Sequence, residues 1–190
     1  MNSKAELKQQ LILDATLNLI AENDPESLSV GKIAEATGLS RPAIYQYFSS
    51  KEDIFAELII NDLADLSNEL DRLLGSIDDC MEQVRVWLHY SLAHLSGTDH
   101  KLVRKISVSN LPEEKRGMVG SMHGYIMMSL MSPLTNLGVE DPSSMGQHIF
   151  SAVSATADRI DEGWDYTQQA GSLEKFVMAG IEADVNNLSC

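Results

Sequence analysis

The sequence predicts an all-α protein of about nine helices, and three observations predict it. Apolar residues recur at three- and four-residue spacing, in Leu7, Leu11, Ala15 and Leu19, and again in Phe55, Leu58, Leu63, Leu66, Leu70 and Leu73; this is the period of a helix with one covered face. No segment sustains the two-residue alternation of a strand. Glycine, proline and serine punctuation cuts the 190 residues into lengths that suit helices. A hydrophobic share of 44% argues against disorder, and the length allows one or two domains with a sizeable core.

The elements follow from the punctuation. Asn23-Asp24-Pro25 ends the first helix and Gly38 the second, while Ser49-Ser50 precedes the fourth. The fourth helix is expected at 51–74, and Gly75 and Gly97 bracket the fifth. Pro112, Gly138 and Pro142 mark later breaks, and Gly171-Ser172 is expected to precede the last helix. The final two helices are therefore expected at 143–164 and 172–188. No repeat, low-complexity tract or flexible linker appears. Two domains are expected, 1–50 and 51–190, joined by the helix at 51–74.

Composition excludes several classes. No run approaches the ~18 apolar residues of a membrane span. The polar start, Met1-Asn2-Ser3-Lys4-Ala5-Glu6, is unlike a secretory signal. Two distant cysteines, Cys80 and Cys190, suggest neither a disulfide framework nor a zinc site, so a cytoplasmic protein is expected. The net charge is −14, but it is uneven: residues 1–51 carry −1 and residues 52–190 carry −13. An acidic body repels nucleic acid from every surface except the near-neutral N-terminal one.

Residues 28–55 are the informative stretch. Ser29 can cap a short helix through Ile33 and Ala34. Gly38 can take positive φ and reverse the chain, with Leu39 plugging the corner. Ser40 can cap a second helix at 41–47, and Pro42 sits in its first turn, where a missing N–H costs nothing. Two short helices across a glycine turn make a helix-turn-helix, whose second helix enters the major groove. Ala43 and Ile44 are its inward candidates, which leaves Arg41, Tyr45, Gln46 and Tyr47 outward. Arginine can pair bidentately with guanine, glutamine can read adenine, and tyrosine hydroxyls can bond phosphate.

This stretch resembles the DNA-binding domain of the TetR/AcrR family of bacterial transcriptional regulators. The likeness rests on Ile33-Ala34, Gly38-Leu39-Ser40, Ile44-Tyr45, Tyr47-Phe48, Ser50-Lys51-Glu52 and Phe55, with Ile12, Ala15, Leu19 and Ile20 upstream. It covers roughly residues 8–58. The resemblance implies a three-helix reading head on a larger helical body that binds a small-molecule effector and dimerises. It implies that Ser40, Arg41, Pro42, Tyr45 and Tyr47 line the DNA-facing helix, and that Lys51 and Ser29 touch phosphate. The sequence departs from the family at Asn23-Asp24, where a glycine is common, at Gly31, which offers no side chain, and in a thin basic arm of Lys4 and Lys8.

In such proteins the last two helices pair across a two-fold axis as a four-helix bundle. The stripes Ile149, Val153, Ile160 and Val177, Ile181, Val185 are the candidates for homodimerisation. The middle helices are expected to enclose the effector pocket. Its candidate lining is Leu66, Leu70, Trp87, Tyr90 and His94, then Met118, Met122, Tyr125, Ile126 and Ser129, since methionine and aromatic faces with polar tips suit an adaptable apolar site. His89, His94, His100 and His123 lack i, i+4 metal spacing with a carboxylate, so no metal or other cofactor is expected. No GxSxG, HExxH, Walker or GxGxxG pattern points to an enzyme. The expected function is repression: a palindromic double-stranded operator is occupied by the homodimer and released by the effector. The alternative is a helical dimeric interaction protein that has lost DNA binding.

Overall fold

Residues 4–187 are described in the computed structural model; the expectations resting on Met1 to Ser3 and on Cys190 fall outside them. Nine α-helices lie among the described residues: α1 Lys4–Glu22, α2 Val30–Thr37, α3 Arg41–Ile44, α4 Lys51–Leu74, α5 Cys80–Leu95, α6 Thr98–Val103, α7 Glu113–Asn136, α8 Pro142–Asp161 and α9 Tyr166–Asn187. Short 3-10 turns occupy Pro25–Ser27 and Val108–Asn110, and no described residue is in a strand. No described helix is long and apolar enough to cross a membrane.

Two compact units form. The first holds the chain up to Leu63 together with Thr98–Ser121; the second holds Ala64–Gly97 and the chain from Met122 onward. The division falls inside α4, whereas the sequence suggests a boundary at its start.

In the first unit α1 packs on α2 and α6, and α2 packs on α3. The core side of α1 is Ile12, Leu13, Thr16 and Ile20, with the Thr16 hydroxyl returned to the Ile12 carbonyl at 2.7 Å. The stripe that identifies this helix in the sequence, Leu7, Leu11, Ala15 and Leu19, is largely its other side: Leu7 and Leu11 are exposed. Both stripes have helical spacing, so the period alone does not choose the inward one.

In the second unit α5, α8 and α9 pack mutually. Fully buried Trp87, Leu88, Leu92, Leu130, Leu134 and Ile181 dominate its core, each contributing roughly 1.5–3 kcal/mol of burial. The break before α9 is not at Gly171. It is at Gly163, whose φ of 99° needs a residue without Cβ. Asp165 then caps the new helix, accepting from Gln168 N at 2.8 Å, and α9 runs through Gly171 uninterrupted. Cys80 is a half-buried free thiol.

Candidate nucleic-acid interface

The helix-turn-helix forms for local reasons. Ser29 caps α2, accepting from Lys32 N at 3.3 Å, and Gly38 ends it at φ 67°, in the left-handed region. Ser40 caps α3, accepting from Ala43 N at 3.3 Å. The α-helix stops at Ile44, earlier than the expected 47. A tight turn carries on, with Tyr47 N and Phe48 N both donating to the Ile44 carbonyl at 2.9 and 3.1 Å. Ile33, Ala34, Ile44 and Phe48 are buried, and they fix which side of α3 faces out.

That outward side is the expected one for Arg41, Tyr45 and Gln46, but not fully for Tyr47. Arg41, Pro42, Gln46, Ser29 and Ser40 are exposed, Tyr45 is 54% exposed, and Tyr47 is half-buried. Ser29, Arg41, Tyr45 and Lys51 meet around one cleft of about 400 Å³, floored by Leu28 to Gly31 and Ser49 to Glu52. Ser40, Pro42, Gln46 and Tyr47 lie outside that cleft. The surface therefore pairs a hollow of hydroxyl, guanidinium and phenol groups with a projecting turn that carries Gln46.

Lys51 is occupied in this arrangement. Its Nζ donates to the carbonyls of Glu26 and Leu28 at 3.0 and 3.1 Å and approaches that of Pro25 at 3.5 Å. It also lies 5.8 Å from the Phe55 ring centre. The lysine ties the α1–α2 connection to the start of α4, a role the sequence does not reveal. Lys105 does similar work at the end of α1, donating to the Ile20 carbonyl at 3.2 Å. Lys115 is held near Glu57 and Asp53, and His100 Nδ1 meets Asp62 at 2.8 Å. Of the cations in residues 4–50, Lys4, Lys8, Lys32 and Arg41 carry side-chain charges that no hydrogen bond or ion pair among the described residues engages.

The pocket candidates divide. Leu66, Leu70, Trp87 and Ile126 are buried, and Tyr90, His94, Met122 and Ser129 are half-buried. The Trp87 indole donates to Ser129 Oγ at 3.1 Å, which joins α5 to α7. Met118 and Tyr125 are instead surface residues, 49% and 53% exposed. Tyr125 donates to Asp71 at 2.9 Å, and that carboxylate raises the phenol pKa. The sequence misses Ser91. It is 1% exposed, its Oγ finds no hydrogen-bond partner among the described residues, and it lies one turn from Trp87 on α5.

The dimer candidates need correction. Ile149, Val153, Val177 and Ile181 are buried in the protomer's own core, where α8, α9 and α5 meet; Ile160 and Val185 are half-buried. These stripes are the apolar faces the helices need to fold at all. The outer face of α9 shows Phe176, 70% exposed, among the exposed small residues Ser172, Ala179, Gly180 and Ala183. Trp164 in the turn before it and Tyr166 at its first position are exposed, with Arg159 stacked 4.3 Å over Trp164.

A polar clamp ties α5 to α9. Glu174 accepts from His89 Nε2 and Arg85 Nε, both at 2.8 Å, and Arg85 also pairs with Glu82. The His89 and Arg85 donors hold the Glu174 carboxyl below the usual carboxylate range. A depressed folded pKa stabilises above the unfolded value of about 4.3 and loses that stabilisation as pH falls through the folded value. Glu174→Gln is expected to lower the melting temperature at pH 7 by about 1–3 °C, since partly exposed pairs contribute little. The difference from wild type should shrink in calorimetry as pH falls through the lowered folded pKa of Glu174.

A capped pair of short helices across a left-handed glycine, set on an all-helical chain, defines a helix-turn-helix. Residues 12–58 match the family model of bacterial regulatory proteins, tetR family. The chain is 33% identical over 93 residues to an HTH-type transcriptional regulator of Mycobacterium tuberculosis; the match covers 43% of this chain and 46% of that protein, so it spans less than half of the relative's length. Over 187 residues it is 25% identical to the fatty acid metabolism regulator protein of Bacillus subtilis, covering 92% of this chain and 95% of the relative. The structure of B. subtilis FadR in complex with stearoyl-CoA superimposes with a TM-score of 0.76 at 21% identity, covering 90% of this chain and 98% of that one. Both sequence relatives carry the name of a regulator.

Proposed function

We propose that the protein is a ligand-responsive transcriptional regulator, a repressor that binds a palindromic operator as a homodimer in the cytoplasm and leaves it when a small molecule binds the helical body. The observation that carries this reading is the exposed, uncommitted face of Arg41, Tyr45 and Gln46 on a helix-turn-helix whose core is closed behind it. Residues 1–50 supply the reading head, and residues 51–190 supply effector binding and dimerisation.

The second copy docks on the Phe176 face of α9, with its small neighbours allowing close approach of helices. An exposed phenylalanine on such a surface fits an interface centre. The effector enters the second unit beside Trp87, Tyr90, Met122 and Ile126, and a polar group on it bonds Ser91 Oγ. A buried hydroxyl left without a partner is costly, and this one supports a ligand contact. Population shift then follows: a ligand that prefers a dimer with a different head spacing draws the protein off DNA.

The first ligand to test is stearoyl-CoA, because the similar B. subtilis FadR is known in complex with it. At a hundred times its Kd it should stabilise by about 2.7 kcal/mol, a rise in melting temperature of roughly 5–10 °C. Ser91→Ala should keep the ligand-free melting temperature and lose most of the shift. Trp87→Ala is a poor probe, since its buried ring supports the fold, and truncation costs about 3–5 kcal/mol. No shift with acyl-CoA esters of any chain length would remove this ligand class.

A further inference from the structure

Gly31 has no backbone reason to be glycine. It lies in the first turn of α2 with negative φ, where glycine costs about 1 kcal/mol relative to alanine. What occupies the space of its missing side chain is Arg41. A Cβ at position 31 would stand 2.5 Å from Arg41 Nη2 and 3.1 Å from both Cζ and Nε. Three guanidinium atoms at similar range mean that the planar group rests against the Gly31 backbone. No hydrogen bond or ion pair among the described residues engages that guanidinium, so contact with Gly31 is what places it.

The position has a consequence for what Arg41 can read. Folded back on α2, Arg41 shares the cleft with Ser29, Tyr45 and Lys51, whereas Gln46 lies outside it. Glu52 also lines the cleft, so an anion there must be held by Arg41 against one carboxylate. We propose that Gly31 is a positioning residue: by lacking a side chain it seats the Arg41 guanidinium on the backbone side of the reading head, where it binds a DNA phosphodiester instead of a guanine edge. The inference rests on the DNA-binding reading and sharpens it. A phosphate contact fixes register and carries no base preference, so Gly31 governs affinity and salt dependence while base discrimination stays with Gln46, which lies outside the cleft.

The test uses Gly31→Ala, Arg41→Ala and the double variant as full chains. Alanine at 31 displaces only the far end of a flexible side chain and favours the helix, so it should fold with an unchanged or higher melting temperature. Fluorescence anisotropy would be read from 50 to 200 mM salt. Two duplexes would be used: one recovered by selection from random DNA with the wild-type protein, and a scrambled one of equal length. Gly31→Ala should weaken both duplexes by the same factor, roughly five- to tenfold, and reduce the salt slope by about two for the dimer, one phosphate per protomer. Gly31→Ala added to Arg41→Ala should change nothing further, because glycine acts through the arginine.

An affinity and slope equal to wild type in Gly31→Ala would overturn the inference. So would additive losses in the double variant, or a loss confined to the selected duplex at unchanged slope, which would make Arg41 a base reader. Failure of the wild type to bind either duplex would instead remove the DNA-binding reading, and this inference with it.

Discussion

Tyr45→Ala combined with Gln46→Ala should abolish specific operator binding and leave helical content and dimerisation as they are. Both side chains are exposed and neither supports the core, so truncation removes contacts without removing packing. Each lost base or phosphate contact is worth roughly 1–3 kcal/mol, and a dimer presents each contact twice. The expected loss is therefore at least a hundredfold. Circular dichroism and light scattering should match wild type. A double variant that binds the operator normally would mean that this turn does not face DNA. Neighbouring Ile44 gives the control: it is fully buried, and Ile44→Asp should unfold the reading head by burying an uncompensated carboxylate.

The second large effect separates fold from assembly on α8 and α9. Phe176→Glu should produce a folded monomer. The phenylalanine is 70% exposed in the protomer, so its replacement costs the fold almost nothing. In the proposed dimer two copies of that ring are covered, each contributing about 1.5–3 kcal/mol, and two unpaired carboxylates would take their place. The dimer Kd should rise by several hundredfold or more, and operator binding should fall with it. Val153→Glu should behave differently. Val153 is 0% exposed, so the carboxylate enters the junction of α5, α8 and α9 and costs several kcal/mol of a total of about 5–15. That variant should be insoluble or molten, not monomeric. If Phe176→Glu remains a dimer by light scattering, the interface lies on another face.

The contrast between these two positions shows what the sequence could and could not carry. The stripe Ile149, Val153, Val177 and Ile181 has the right period for a helix pair, and period reports only that something covers it. Here the cover is the protomer itself. Phe176 sits out of that stripe, and no spacing rule would select it. The same ambiguity holds on α1, where Leu7 and Leu11 have helical spacing and yet are exposed.

By contrast, the reading head was legible because its determinants are local. Ser29, Gly38, Ser40 and Pro42 each act within four residues, so the caps, the reversal and the outward face of Arg41, Tyr45 and Gln46 follow from adjacency. The last break failed for the same local reason read at the wrong glycine: Gly163 takes positive φ with Asp165 as the cap that restarts the helix, whereas Gly171 is simply helical. Contacts across long separations were out of reach. Glu174 meets His89 and Arg85 across some 85–89 residues, Lys51 reaches back to the carbonyls after α1, and Ser91 looks ordinary until its burial is seen. The Gly31 departure was visible as a missing side chain, but its meaning depended on where Arg41 lies.

The central claim is that this helix-turn-helix reads DNA as a two-fold pair. Selection of binding sites from a random duplex pool, at a fixed salt concentration, tests it most directly. The account predicts enrichment of an inverted repeat whose half-site centres are one helical turn apart, ~34–36 Å, or a multiple of it, and loss of that enrichment in the Tyr45→Ala, Gln46→Ala variant. A pool that emerges unenriched, or the same repeat selected equally well by the variant, would contradict it.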